Sequence, residues 1–242
     1  MAHDRCVEPL ATANDVRSAL AELAKPSDAV ELHRYFKAYE GGYGAGDVFL
    51  GLRVPVTRSV VKRFRQMPFD EIDKLLDDAE HEHRFAGLLL LNEAARRDPE
   101  QTAERYLAAV RRGRVNNWDL VDASAEWSLG GWLRDRDRSV LFELAESPVL
   151  WERRVAVIAT FAFLKRGDAT TTLALAERLL GDREDLMHKA VGWSLREMGW
   201  RVSRATLVGF LDTHAARMPR TMLSYAIEHF GPEERARYRS LR

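Results

Sequence analysis

The spacing of apolar residues is helical from about residue 12 to the end of the chain. Apolar positions recur every three or four residues, and no segment alternates apolar and polar residues as a half-buried strand would. One glycine-rich loop, EGGYGAGD, interrupts the pattern at residues 40–47. The pattern predicts an all-α chain of roughly a dozen helices with short connections. Prolines mark the predicted boundaries: Pro26, Pro55, Pro68, Pro99, Pro148, Pro219 and Pro232.

Four predicted helices share a basic residue followed by an apolar run: HRFAGLLLL, RRVAVIATF, HKAVGWSLR and PRTMLSYAI. Their basic residues are Arg84, Arg154, Lys189 and Arg220, which are 70, 35 and 31 residues apart. A period near 35 with two helices per unit predicts an α-solenoid of HEAT-like repeats, forming one domain over residues 1–242. The recurring basic residues would then line a concave face, or they are merely basic residues at helix starts.

The central unit, NNWDLVDASAEW, is the most unusual stretch of the chain. If it opens a helix after Asn117, Trp118 and Asp122 share one face, as do Lys189 and Trp193 in HKAVGWSLR. Spacing alone equally fits a surface acid beside a packing tryptophan. Indole faces attract cations and basic side chains attract phosphate, so the set suits a cationic group carried on an anionic backbone. An alkylated purine in DNA has this character.

The charge distribution is compatible with DNA but does not require it. The formal net charge is zero, yet residues 1–100 hold 14 basic against 18 acidic residues, whereas the remainder holds 23 against 19. Of the 37 basic residues 31 are arginine, which suits phosphate binding but also follows from GC-rich coding. Arg112 and Arg114, just before the central unit, are candidate phosphate contacts or a solvated helix end.

Several classes of site and location are not expected. The start of the chain has no apolar signal segment, the single cysteine, Cys6, lies in a predicted frayed leader (residues 1–11), and no apolar run would span a membrane. His81 and His83 lack metal-ligand spacing, and no nucleotide-binding loop or nucleophile elbow is present. We expect a cytoplasmic monomer without metal or cofactor. Four other tryptophans are interpreted as packing residues: Trp127, Trp132, Trp151 and Trp200.

Several motifs agree in order and spacing with one family. NNWDLVD, WERRVAV, HKAVGWSLRE and MPRTMLSYAIEHF, with GDVFLGLRVPVTR upstream, resemble the DNA alkylation repair glycosylases of the AlkD type over about residues 28 to 230. The resemblance implies HEAT-like repeats that hold duplex DNA in a basic concave groove. It also implies excision of cationic lesions such as 3-methyladenine and 7-methylguanine without flipping the damaged base into a pocket.

The resemblance also implies roles for individual residues. Asp122 corresponds to the catalytic aspartate, and Trp118 and Trp193 correspond to the two active-site tryptophans. Arg154 corresponds to a phosphate-contacting arginine, and Tyr35 to a tyrosine that touches the DNA. Two other readings stay open, namely a divergent member that binds DNA structures without excision and a HEAT-like scaffold for protein interactions.

Overall fold

A computed structural model describes residues 11–241 of the chain. Residues 1–10, with Cys6 and most of the predicted leader, and residue 242 lie outside the described range. The chain divides into two compact units, one ending at Leu120 and the other beginning at Val121. Each unit is described by itself, and the single repeat domain over residues 1–242 stays a prediction.

Over residues 11–120, the first unit is built from six helices and the start of a seventh. Helix α5 is its centre, since it is buried from His81 to Leu91 and packs against α3, α4 and α6, while α1 packs on α3, α4 and α5. The helices are α1 (Ala13–Ala21), α2 (Pro26–Tyr35), α3 (Val54–Val61), α4 (Phe69–Leu76), α5 (His81–Ala94), α6 (Pro99–Arg111) and α7 (Trp118–Ala125).

The second unit continues from α7 through a π-helical segment, Glu126–Gly130, and a 3-10 turn, Trp132–Asp135. Helix α12 is central here, packing against α9, α11, α13 and α14, and α8 packs on α9. The helices are α8 (Ser139–Ala145), α9 (Leu150–Ala159), α10 (Phe161–Leu164), α11 (Thr170–Arg178), α12 (Asp185–Arg201), α13 (Arg204–His214), α14 (Arg220–Ala226) and α15 (Pro232–Ser240).

The all-α prediction is confirmed, and the paired helices are those of an α-solenoid-like fold. Between residues 11 and 241 there is no β-strand, only one isolated bridge between Val48 and Glu80. The prolines lie at or next to helix starts, as predicted, for example at the first turn of α2, α6 and α15. Over the same described residues, no helix is long and apolar enough to cross a membrane.

The glycine-rich loop after α2 packs closely against the residues that precede α7. A Cβ on Gly44 would lie 2.4 Å from the Phe36 carbonyl oxygen and 2.9 Å from Asn117 Nδ2, so a larger residue would push the loop away. Farther along, the buried Glu82 carboxylate accepts the backbone N–H groups of residues 50–52 at 2.9 to 3.0 Å. The loop therefore has a fixed path, which brings Asp47 into the interior.

Candidate functional site

A buried polar network in the first unit surrounds the Asp47 carboxylate. Arg84 Nη2 donates to Asp47 Oδ1 at 2.6 Å, and Asn116 Nδ2 donates to the same oxygen at 2.8 Å. Asp47 Oδ2 accepts from Asn117 Nδ2 at 3.2 Å and lies 3.1 Å from His81 Nδ1. Both carboxylate oxygens are thus bound, as a buried charge requires.

His81 lies between two carboxylates. Its second ring nitrogen, Nε2, is 2.9 Å from Asp119 Oδ2, in the first turn of α7. Burial would lower the pKa of His81, but the charge and hydrogen bond of Asp119, together with Asp47, raise it to about 9. Burial would raise the pKa of Asp47, but the hydrogen bond from His81 and the charge of Arg84 lower it to about 2. At neutral pH His81 is therefore an imidazolium that donates to both carboxylates.

An aromatic stack connects this network to the surface near Trp118. The His81 ring lies 4.8 Å from the Phe49 centroid and 5.0 Å from that of Phe36. Phe36 stacks in turn on Trp118 at 5.4 Å, and Tyr35 meets the edge of Trp118 at 6.0 Å. Tyr35 is 63% exposed, so the stack runs from a buried cation to a solvent-facing tyrosine. Trp118 and Tyr35, predicted separately, lie together in the first unit.

In the second unit, the carboxylate of Asp122 forms a two-pronged ion pair with Arg154 of α9. Arg154 Nε donates to Asp122 Oδ1 at 2.9 Å and Nη2 donates to Oδ2 at 2.8 Å. The remaining Nη1 donates to the Leu186 carbonyl at 2.6 Å, and Arg154 is only 5% exposed. In the structure, Arg154 therefore holds Asp122, and its burial leaves little of the guanidinium accessible to a phosphate.

The predicted residues of α12 lie on a half-buried face of the second unit. The Trp193 ring meets Phe161 edge-on at 4.7 Å, and its Nε1 donates to Glu197 Oε1 at 3.3 Å. Lys189, one turn earlier, pairs with Asp185 at 2.8 Å and keeps its side chain 40% exposed. Lys189 is therefore accessible to a ligand, whereas Trp193 presents only part of its indole.

The other predicted DNA contacts differ in accessibility. Arg84 is only 3% exposed, because its guanidinium binds Asp47 and the carbonyls of residues 78 and 79, so the structure gives it an internal role in place of the predicted DNA contact. Arg112 and Arg114 are exposed or half-exposed and both approach Asp77, at 3.1 and 3.5 Å. Arg220 donates to the carbonyl of residue 239 at 2.8 Å.

Two tryptophans interpreted as packing residues are exposed. Trp200 is 74% exposed because it is two positions, about 200° of helix rotation, beyond the buried Met198. Trp127, in the π-helical segment, is half exposed, and Lys165 Nζ lies 4.4 Å from its ring centroid. The packing interpretation was wrong for these two residues.

Sequence reasoning missed Asp47 and His81, and it considered His81 only as a metal ligand. His83 does lie near two acids, Asp78 and Glu80, with ligand atoms within 4.8 Å of one another. However, Arg17 Nε already binds Asp78 Oδ2 at 2.7 Å, the oxygen that is 3.1 Å from His83 Nδ1. The hydrogen bond with Asp78 raises the pKa of Glu80. We interpret this group as an ion-pair cluster.

Comparison with known proteins identifies one family. The family model described as "DNA alkylation repair enzyme" matches residues 16–230. Among solved structures, the chain is similar to a predicted DNA alkylation repair enzyme from Enterococcus faecalis, with a TM-score of 0.68 and 17% identity over 86% of this chain and 97% of that chain. At this identity the likeness shows the fold alone. No curated protein matches the chain.

Proposed function

Because the chain belongs to the family of DNA alkylation repair enzymes, we propose that it is a monofunctional DNA glycosylase for cationic N3- and N7-alkylated purines in duplex DNA. The observation that carries the proposal is the two-pronged Asp122–Arg154 pair, which orients a carboxylate on α7. Trp118 begins the same helix one turn earlier. Lesion class, glycosylase chemistry and residue roles rest on the resemblance of these motifs to the family.

The proposed chemistry suits this set of groups. A purine alkylated at N3 or N7 is positively charged and leaves as a neutral base, so no strong general acid is required. The sugar then develops oxocarbenium character, which the Asp122 carboxylate stabilises electrostatically while it orients a water. The indoles of Trp118 and Trp193 favour the same positive charge through their faces. Selectivity comes largely from the charge of the lesion.

Arg154 has two proposed states. In the free protein it binds both oxygens of Asp122 and the Leu186 carbonyl. On DNA binding, a phosphate oxygen replaces one Asp122 oxygen as a partner of the guanidinium, which leaves more of the Asp122 charge directed at the sugar. The exchange reconciles the phosphate role implied by the resemblance with the burial of the guanidinium.

The proposed partner is duplex DNA, bound mainly through its phosphates. The predicted contacts that remain accessible are Tyr35, Arg112, Arg114, Lys189 and Arg220. We further propose a monomer that acts in the cytoplasm on nucleoid DNA, in base excision repair, and without base flipping. These parts of the proposal rest on the resemblance alone.

The test is release of 7-methylguanine from methylated duplex DNA. The wild-type protein is expected to release it, and Asp122→Asn should reduce the rate about 100-fold or more, the size expected for loss of one electrostatic stabiliser. Asp70→Asn is the matched control, since this aspartate is 85% exposed and, among the residues that the structure describes, forms an ion pair only with Arg105, at 3.1 Å. It should react like wild type.

Other results would favour the remaining candidates. Duplex binding that weakens with salt, without base release, would point to a protein that recognises DNA structure only. Neither binding nor release would point to an interaction scaffold. Equal release by wild type and Asp122→Asn would exclude the proposed role of Asp122.

A further inference from the structure

The residues on both sides of Trp118 are bound to one buried network, and the Trp118 N–H itself donates to Asn117 Oδ1 at 2.9 Å. Asn116 and Asn117, directly before it, both donate to Asp47, and Asp119, directly after it, accepts from His81. The sequence NNWD thus places three network ligands around one aromatic residue. The backbone on both sides of Trp118 is therefore fixed by the same group of charges.

His81 occupies the centre of this arrangement. Its two ring nitrogens bind Asp47 and Asp119, which lie on opposite sides of the ring, so the imidazolium cannot rotate without losing a charge-assisted hydrogen bond. The plane of the ring is thereby set, and Phe49 and Phe36 pack against it at 4.8 and 5.0 Å.

The stack carries this constraint to the indole. Phe36 and Phe49 are nearly parallel, with 9° between their planes, and Phe36 stacks on Trp118 at 30°. Trp118 is thus constrained twice, through its backbone by Asp119 and through its ring by Phe36. We propose that His81 is a positioning residue that fixes the indole of Trp118 for catalysis, a role that rests on the proposed glycosylase function.

The principal variant is His81→Gln, which keeps a polar side chain but cannot bind both carboxylates as a cation. With 5-fluorotryptophan incorporated, each of the six tryptophans gives a fluorine resonance, and Trp118→Phe identifies that of Trp118. We expect the Trp118 resonance to shift or broaden in His81→Gln, while the Trp193 resonance, from the second unit, stays in place.

Kinetics distinguish positioning from simple loss of structure. For His81→Gln we expect kcat for 7-methylguanine release to fall about 10- to 100-fold, as misplacement of a catalytic group does. The Kd for duplex DNA should change less than about threefold, since phosphate contacts dominate affinity. His229→Gln, the same change at an exposed histidine, is the matched control and should match wild type in all three measurements.

A second variant covers the case in which His81→Gln does not fold. Asp119→Asn keeps the side-chain volume and leaves His81 bound to Asp47, and it should show the same Trp118 shift with a smaller loss of kcat. Folded variants with an unmoved Trp118 resonance or a wild-type kcat would overturn the proposal. If wild type releases no base, the glycosylase proposal fails, whereas the Trp118 resonance still tests whether His81 positions the indole.

Discussion

Among single residues, His81 makes the stability of the first unit depend on pH. Its pKa is raised from 6.5 to about 9, so its contribution is fully present below pH 6.5 and is lost as pH rises through 9. A shift of this size corresponds to about 3 kcal/mol in the free energy of unfolding. The lowered pKa of Asp47 affects stability at acidic pH. Its contribution to the free energy of unfolding is present above pH 3.8 and is lost as the pH falls towards 2.

Urea unfolding at pH 6 and pH 9.5 measures the effect of His81 on stability. The wild-type free energy of unfolding should fall between these pH values by more than that of His81→Gln, because the variant has no imidazolium to lose. Titration of the other groups is common to both proteins and cancels in the comparison. Equal losses in the two proteins would show that His81 is not protonated at neutral pH.

At the level of helices, the predicted all-α, α-solenoid-like fold is confirmed, but in two helices the basic residue that recurs in the structure is one position before the one chosen from the sequence. In α5, α9 and α12 a basic side chain binds a carbonyl six residues earlier, in the turn before the helix. The three residues are Arg84, Arg153 and His188, which are 69 and 35 residues apart, whereas the sequence pattern selected Arg84, Arg154 and Lys189. The spacing of the basic residues was visible in the sequence, but their hydrogen bonds to the preceding turn were not.

Close packing of α12 on α14 gives a second prediction, at Gly192. A Cβ there would lie 2.4 Å from the Met222 carbonyl oxygen and 2.6 Å from Tyr225 Cβ, neither of which can move without shifting a helix. Gly192→Ala should lower the free energy of unfolding by about 1–3 kcal/mol, as overpacking does. Thermal and urea unfolding monitored by circular dichroism measure the change.

The control for Gly192→Ala is the same substitution in α13. Gly209 is exposed and has nothing within 4 Å of an added Cβ, so Gly209→Ala should stabilise the protein by about 0.5–1 kcal/mol through helix propensity. If both variants shift stability in the same direction, the packing argument for Gly192 does not hold.

For the molecule as a whole, sequence predicted what local pattern determines and missed what distant segments bring together. Helices, proline boundaries and the α7 motif follow from spacing within a few residues. His81, however, contacts residues 34 and 38 positions away, and Asn117 reaches one 70 positions away. Neither proximity has a local signal in the chain. For the same reason Arg84 was predicted to contact DNA although it is buried, because it precedes an apolar run just as Lys189 does.

The difference between Arg84 and Lys189 leads to a prediction about DNA binding. The slope of log Kobs against log salt reports the number of phosphates neutralised, about 0.9 per contact for duplex DNA. Lys189→Ala should weaken binding and reduce the slope by about 1, because its side chain is accessible. Arg84→Met should leave the slope unchanged while it lowers stability, because the buried Asp47 loses a charged partner.

Lys74→Ala is the matched control for Lys189→Ala. Both lysines lie in helices and pair with a carboxylate one turn earlier, at 2.6 Å for Lys74 and Glu71, but no DNA contact is proposed for Lys74. The slope of log Kobs against log salt for Lys74→Ala should equal that of wild type, since removal of an exposed paired lysine does not by itself change the number of phosphates bound. A reduced slope for Lys74→Ala would show that the loss seen for Lys189→Ala reflects net charge and not a specific phosphate contact. A reduced slope for Arg84→Met would show that Arg84 leaves the buried network when DNA binds.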